Sequence, residues 1–368
     1  MFSFRTTPLE EQADIVLQKG RLAVLCDSSA WNRQTGKYLF EDIYRSGRLA
    51  RVFFPSDGIF GDYPCGADGD VDGYGFMGMG GCRFTALGTD GFPFVPEMFS
   101  GVDAIIISYS NSGSRYGRMD FLLYALFQML YHSGIPLSVY LLDRDNPSGH
   151  RVEGTVSEGF GRSAGLEGVP HRHGLTTGEL ASMLYSELVA KFPLHIISHA
   201  AYPAMNYPED RRLPFIGAAN LARTGGIAGV PETIGAPWLR PLLESAEFMD
   251  EVQDPGCCVR RVAFVPSSGI YASERCYGLQ LLRREDVPYH SVDHSLRILR
   301  LLCSSASGFI GTGLEETVGD AVMNAYLHGH AGRAALKEHM KVEEQKWIRK
   351  AKRHLLYQEH PVRVKSLV

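Results

Sequence analysis

Ala104-Ile105-Ile106-Ile107-Ser108-Tyr109-Ser110, then Asp120-Phe121-Leu122-Leu123-Tyr124-Ala125-Leu126-Phe127-Gln128-Met129-Leu130-Tyr131-His132, then Pro136-Leu137-Ser138-Val139-Tyr140-Leu141-Leu142-Asp143, is the passage whose reading decides the fold. The outer two pieces are apolar runs without polar alternation, the mark of strands covered on both faces. The middle piece carries apolar residues at helical spacing. A strand, a helix and a second strand in this order form a crossover between parallel neighbours. The same alternation extends outward, with apolar runs at 22–26, 50–55 and 194–200 and helical patterns at about 36–45 and 177–191. The chain therefore reads as an α/β fold, a parallel sheet with helices on both faces. Its binding residues should gather at the carboxyl ends of the strands.

The rhythm changes twice. From 55 to 96 the chain is rich in Gly and Asp and reads as one elaborate loop. Beyond about residue 206, short apolar pieces at 262–266 and 277–282 precede helical patterns at 291–305 and 315–330 and a charged helix at 333–354. This gives a first domain over 15–205 and a smaller C-terminal α+β domain over 206–368. At 368 residues the chain has room for both.

Composition narrows the function classes. A hydrophobic share of 45%, a charged share of 21% and a net charge of −4 describe an ordinary globular chain without the basic footprint of a nucleic-acid binder. No apolar run is long enough to span a bilayer, so no membrane partner is expected. Arg5, Glu10, Glu11 and Asp14 interrupt the N-terminus where a signal peptide would need an apolar core, and a cytoplasmic location is expected. Seven cysteines with no CxxC pair suit reduced thiols better than disulfides or a zinc site.

Several motifs resolve into structure. Gly73-Tyr74-Gly75-Phe76-Met77-Gly78 matches GxGxxG by letter but has no helix pattern after it, so it is not a dinucleotide fingerprint. Asp68-Gly69-Asp70-Val71-Asp72-Gly73 opens like a calcium loop, yet its twelfth position is Met79 rather than the bidentate Glu, and an Asp/Gly turn is the better reading. Thr176 and Glu179 have the spacing of a capping box. His171 and His173 lie in a polar loop before that helix and lack a third ligand, so substrate hydrogen bonding or a helix-start motif is preferred to metal. Ser28, Ser56, Ser108 and Ser110 form no Gly-x-Ser-x-Gly elbow. The basic segment 341–354, with Trp347 and Ile348, reads as a solvated helix face. No cofactor and no metal are expected.

The remaining polar stretch is the most specific. It runs Asp143-Arg144-Asp145-Asn146-Pro147-Ser148-Gly149, then Val152-Glu153-Gly154, then Arg172-His173-Gly174-Leu175-Thr176-Thr177-Gly178-Glu179-Leu180. With Gly235-Ala236-Pro237-Trp238 and Tyr277-Gly278-Leu279-Gln280, it resembles the ordered motifs of the peptidoglycan exo-β-N-acetylmuramidases, the NamZ family, over roughly residues 20 to 360. The resemblance implies a Rossmann-like N-terminal domain, a smaller C-terminal domain and a cleft between them. It also implies release of N-acetylmuramic acid from the non-reducing end of peptidoglycan fragments, and hence a small saccharide or muropeptide ligand.

The chain departs from the family where the acid should stand. The family's Pro-Glu-His-Gly, whose glutamate is its catalytic acid, is here Pro55-Ser56-Asp57-Gly58. A serine hydroxyl cannot protonate a glycosidic oxygen as a carboxylic acid does. The family's acids after the third strand are replaced in Ser108–Arg115, where Gly113 and Arg115 remain. Its Leu-Glu-Gly-Thr-Asn and Gly-Arg-Gly-Thr motifs are also missing around 221–230. With the family's glutamate position held by Ser56, Asp57, Asp62 and Glu153 are the carboxylates placed to supply an acid, and Asp57 and Glu153 are the candidate catalytic residues. Ser56, Asp62, Arg115, Asn146, Arg172 and His173 become the candidate ligand contacts, with Arg115, Arg172 and His173 on the lactyl carboxylate or sugar hydroxyls. Since an N-acetyl sugar can use its own acetamido group as nucleophile, one enzymic acid would suffice. Three readings follow: a divergent glycosidase, a non-catalytic sugar-acid binder, or a scaffold with a vestigial cleft.

Overall fold

Eight strands form the central sheet in the order β1-β12-β9-β8-β2-β5-β7-β6. They are β1 (Phe2–Arg5), β2 (Leu22–Cys26), β5 (Leu49–Pro55), β6 (Gly69–Val71), β7 (Arg83–Leu87), β8 (Ala104–Ser108), β9 (Ser138–Leu142) and β12 (Leu194–Ile197). A small hairpin, β3 (Trp31–Asn32) with β4 (Lys37–Tyr38), follows β2. All neighbours in the large sheet run parallel except β6, which lies antiparallel on β7 at the edge. The computed structural model describes residues 2–5, 20–32, 36–60, 69–71, 74, 77–88, 93–156, 165–198, 216, 221–224, 232–266, 270–284, 287–305, 308–309, 311 and 313–357.

Side-chain alternation explains why the strands are apolar throughout. Ala23, Leu25, Phe53, Ile105, Ile107, Val139 and Leu141 point to one face, while Leu22, Val24, Val52, Phe54, Ala104, Ile106 and Tyr140 point to the other. Helices α2 (Arg118–Ser133) and α3 (Thr177–Glu187) cover the first face; α1 (Leu39–Arg45) covers the second. Helix α2 buries Leu122, Leu123, Leu126 and Phe127 completely, each worth roughly 1.5–3 kcal/mol of transfer free energy. It stops at Gly134, whose positive φ of 65° lets its N–H cap Leu130.

The stretch 55–96 differs from its reading as a loop. Its strands β6 and β7 widen the sheet on the β5 side. The signal is faint because Arg83 and Thr85 interrupt the apolar run, and Thr85 bonds Asp70 across the β6–β7 pair at 2.6 Å. Asp70 also lies 3.6 Å from Arg51, so this part of the calcium-like sequence is engaged in strand pairing.

The second half builds a four-stranded antiparallel sheet, β13-β14-β16-β15, from β13 (Ala222–Thr224), β14 (Thr233–Ala236), β15 (Cys257–Phe264) and β16 (Cys276–Arg283). Helices α4 (Arg240–Glu244), α5 (Ala246–Glu251), α6 (Ser291–Ser305), α7 (Leu314–Val318), α8 (Ala321–Leu327) and α9 (Arg333–Ala351) accompany it. The single helix expected at 315–330 is two, because Gly319 takes a left-handed φ of 61° between α7 and α8. The expected boundary at 205/206 lies outside the described residues. Helix α9 reaches across: Leu336 and Met340 belong to the core of the antiparallel sheet, Trp347 and Ala351 to that of the parallel sheet.

Candidate active site

The sheet order reverses between β2 and β8, since the chain leaves β2 for β5 on one side and returns to β8 on the other. Ligands of open α/β sheets bind at the carboxyl ends of such strands. After β2, Asp27 caps the turn Ser28–Ala30, accepting from the Ser29 N–H at 2.9 Å and from the Ser29 hydroxyl. The Ser29 hydroxyl in turn accepts from the Ser110 N–H at 2.7 Å, joining the loops after β2 and β8. Arg144, just past β9, donates to the Ser29 carbonyl at 2.5 Å and to the Ser108 hydroxyl at 3.1 Å. Asp57 follows β5 and pairs with Arg118 at 2.7 Å, both more than a third exposed. Ser56 beside it is buried.

A second polar cluster lies beneath. Strands β10 (Glu153–Val156) and β11 (Pro170–Arg172) form an antiparallel hairpin with a bulge, so His171 belongs to a strand rather than to the polar loop expected for it. The two strands place Glu153 opposite Arg172. Their side chains meet at 2.5 Å with almost no exposure. Arg172 also donates to the Ser148 carbonyl. The other Glu153 oxygen accepts from the Ser291 hydroxyl at 2.6 Å and the Val292 N–H at 3.2 Å, closing the first turn of α6. Burial works against the Glu153 anion, but Arg172, His290 and the α6 contacts outweigh it and hold the carboxyl down at about 2. His290 sits between Glu153, at 3.7 Å, and Glu344, at 2.8 Å. Burial opposes its charge, and the carboxylates nevertheless raise its pKa.

The other expected contacts are distributed as follows. Arg115 is fully buried and donates to the Thr155, Thr317 and Val318 carbonyls at 3.1, 2.9 and 2.8 Å, placing its cation at the carboxyl end of α7. His171 Nε2 lies 3.2 Å from the same guanidinium, and burial followed by Arg115 keeps that ring neutral. Asn146 shapes its own loop, accepting from the Ser148 N–H at 2.8 Å and donating to the Leu175 carbonyl at 3.0 Å. His173 accepts from the Leu175 N–H at 3.1 Å through Nδ1, which leaves the proton on Nε2. That nitrogen is buried without a partner among the described residues. Burial, followed by Arg172, pushes the His173 ring down to about 3. Asp62 lies outside the described residues.

The structure thus brings Glu153 and Arg172 together below the surface and gathers a different set beyond the carboxyl ends of the parallel strands: Asp27, Ser29, Asp57, Ser108, Arg118 and Arg144. Of these, sequence reasoning singled out only Asp57 as a site residue. The available signal was position, since each of Asp27, Asp57, Ser108 and Arg144 ends or follows an apolar run. Thr176 and Glu179 form the capping box their spacing promised, with bonds of 3.1 and 3.0 Å. Asp143 caps the same helix through the Gly178 N–H at 2.6 Å and accepts from the Tyr357 hydroxyl at 2.8 Å. A shallow groove lined by Pro96, Phe99, Ile135 and Leu137 lies at the opposite ends of the strands, away from these groups.

Among the described residues no helix is long and apolar enough to cross a membrane. The chain is similar to the peptidoglycan β-N-acetylmuramidase NamZ of Bacillus subtilis, with 26% identity over 278 residues, 69% of this chain and 66% of that protein. Thus the match covers just under two thirds of the length of that relative. Two solved structures of DUF1343 family proteins from Bacteroides fragilis share the fold, with TM-scores of 0.65 and 0.64 at 16% identity, covering 95% of this chain and 97% of each of theirs. The N-terminal domain of the exo-β-N-acetylmuramidase NamZ matches residues 22–223 and its C-terminal domain residues 226–357. Two adjoining matches in the native order leave little of the chain outside them, and on that ground it belongs to the NamZ family.

Proposed function

We propose that this chain binds N-acetylmuramic acid-containing peptidoglycan fragments in the crevice above β2, β5 and β8, and does so without cleaving them. The observation that carries this reading is the state of Glu153. A general acid must hold a proton near neutral pH and reach the leaving oxygen. Glu153 is ionised down to about 2, enclosed, and bonded to Arg172 and the start of α6. Ser56 stands where the family places its glutamate, and Asp57 is engaged by Arg118. The family relation and the polar groups at the sheet's carboxyl edge support a saccharide ligand. Arg118 and Arg144 supply the positive side suited to a lactyl carboxylate. In this reading Asn146 and Arg172 hold the loops below the crevice, while Arg115 and Glu153 tie that region to helices α7 and α6.

Asp57 favours a second reading, because its partly exposed carboxyl at the end of β5 is one residue from the family's acid position. A hydrolysis assay on a chromogenic N-acetylmuramide, beside calorimetric titration with N-acetylmuramic acid, separates the two. The expected outcome is binding without turnover in the wild type. Turnover that disappears in Asp57→Asn would replace this reading with that of an active glycosidase. Absence of both binding and turnover would point to a scaffold.

A further inference from the structure

Two aromatic rings stand exposed on the segments that leave the carboxyl ends of β2 and β5. Trp31 lies just beyond the β2 turn and is 37% exposed; Phe60 lies just beyond Asp57 on the β5 loop and is 38% exposed. Isolated exposed apolar side chains are ordinary, but these two converge on one shared ring. Tyr38 is 5.0 Å from Trp31 and 5.7 Å from Phe60, edge-on to both. Tyr38 itself stacks on the fully buried Phe40 at 5.2 Å and 6°.

The backbone beneath is fixed as well. Trp31 pairs with Tyr38 in the β3–β4 hairpin, the Tyr38 N–H donates to Glu41 at 2.6 Å, and the Ile59 N–H donates to the Tyr74 hydroxyl at 2.9 Å. Rings held this way lose little conformational freedom when a ligand lies on them. Polar groups adjoin the patch along the chain: Asp57, paired with Arg118, precedes Phe60 by three residues, and Lys37, 3.7 Å from Asp42, precedes Tyr38. Flat apolar faces between hydrogen-bonding groups match a pyranose ring, which presents C–H bonds on its faces and hydroxyls around its edge.

We propose that Trp31 and Phe60, braced by Tyr38, form a stacking platform for the sugar ring attached to the one held in the crevice, and so a second saccharide subsite. This rests on the crevice reading above, and the test keeps the two apart. N-acetylmuramic acid and the β-1,4-linked disaccharide of N-acetylmuramic acid with N-acetylglucosamine are titrated calorimetrically into wild type, Trp31→Ala, Phe60→Ala and the double variant. The wild type is expected to bind the disaccharide more tightly. Each single variant should weaken disaccharide binding roughly tenfold, equivalent to about 1.4 kcal/mol, and leave the monosaccharide unchanged.

Equal affinities for the two sugars in the wild type, or parallel losses for both in the variants, overturn the platform and leave the crevice standing. If the wild type binds neither sugar, the crevice reading falls and the platform with it. If the double variant instead converts a dimer to a monomer, the patch is a contact between copies and the proposal is wrong. A fold-independent measurement uses the unmodified protein. Trp347 is buried and Trp238 is half-buried on Tyr271, so Trp31 is the indole most open to acrylamide. The disaccharide should protect it from quenching and the monosaccharide should not; protection by neither overturns the proposal.

Discussion

Enclosing Glu153 with Arg172 takes both charges out of water, a cost offset only by their mutual contact and by the bonds from Ser291 and Val292. Removing one charge leaves the other buried and unpaired. Glu153→Gln is therefore expected to cost about 3–5 kcal/mol, read from the urea midpoint. The pair also sets a pH dependence. The folded-state pKa of Glu153, about 2, lies below its ordinary 4.5, so its contribution is complete above 4.5 and fades as pH falls toward 2. The full effect is on the order of 3 kcal/mol. His173 acts in the same direction: with a folded pKa of about 3, it opposes protonation that the unfolded chain accepts below 6.5. These two groups by themselves make the melting temperature fall from pH 6.5 downward and fall further below 4.5. In Glu153→Gln the second phase should be absent. Glu179 has the opposite sign, since burial raises it to about 7, and its effect is a stability loss between pH 4.5 and 7. Between pH 4.5 and 6.5 this opposes the His173 effect. Glu179→Gln, which retains a capping-box side chain, should therefore unmask it, seen as a melting temperature that falls more steeply from pH 6.5 to 4.5 than in the wild type. The capping role of Glu179 was legible because its partner is three residues away. The role of Glu153 was not, because its partner Ser291 is 138 residues away.

At the scale of elements, legibility followed burial symmetry. Strands β2, β5, β8 and β9 are apolar on both faces and appear in the sequence close to their observed limits. Strand β7 and the β10–β11 hairpin carry Arg, Thr, Glu and His, because one or both faces serve polar networks, and no apolar periodicity announces them. The loop after β8 was legible only as a family motif, although one of its residues is dictated by geometry. Gly113 has a φ of 70°, and a Cβ there would fall on the Asn146 Oδ1 and on Ser148. The left-handed backbone alone costs an alanine about 1–2 kcal/mol, before any displacement of the Asn146 loop. Gly113→Ala is therefore expected to lose at least that much in chemical denaturation. A change within about 0.5 kcal/mol, the range of ordinary surface substitutions, would contradict the close approach described here.

The molecule as a whole is tied across its two sheets by a few polar anchors as well as by α9. Trp347 donates to the His173 carbonyl at 2.9 Å, and Glu344 accepts from the Gly154 N–H at 2.9 Å. Thus the helix that completes the second core also closes over the β10–β11 hairpin. Arg115 is the most connected of these anchors, because one guanidinium reaches Thr155 on the hairpin and the last carbonyls of α7. Lysine keeps the charge but replaces a planar fork with a single ammonium, which cannot span the same carbonyls. At least one buried acceptor would be left without a donor, at about 1–3 kcal/mol each. Arg115→Lys is expected to lower the urea midpoint by an amount equivalent to about 2–4 kcal/mol with the slope unchanged. Tryptophan fluorescence and far-ultraviolet circular dichroism should still report one transition, because α9 contributes to both cores and neither is complete without it. Two separated transitions in this variant would mean that Arg115 alone couples the sheets and that α9 does not.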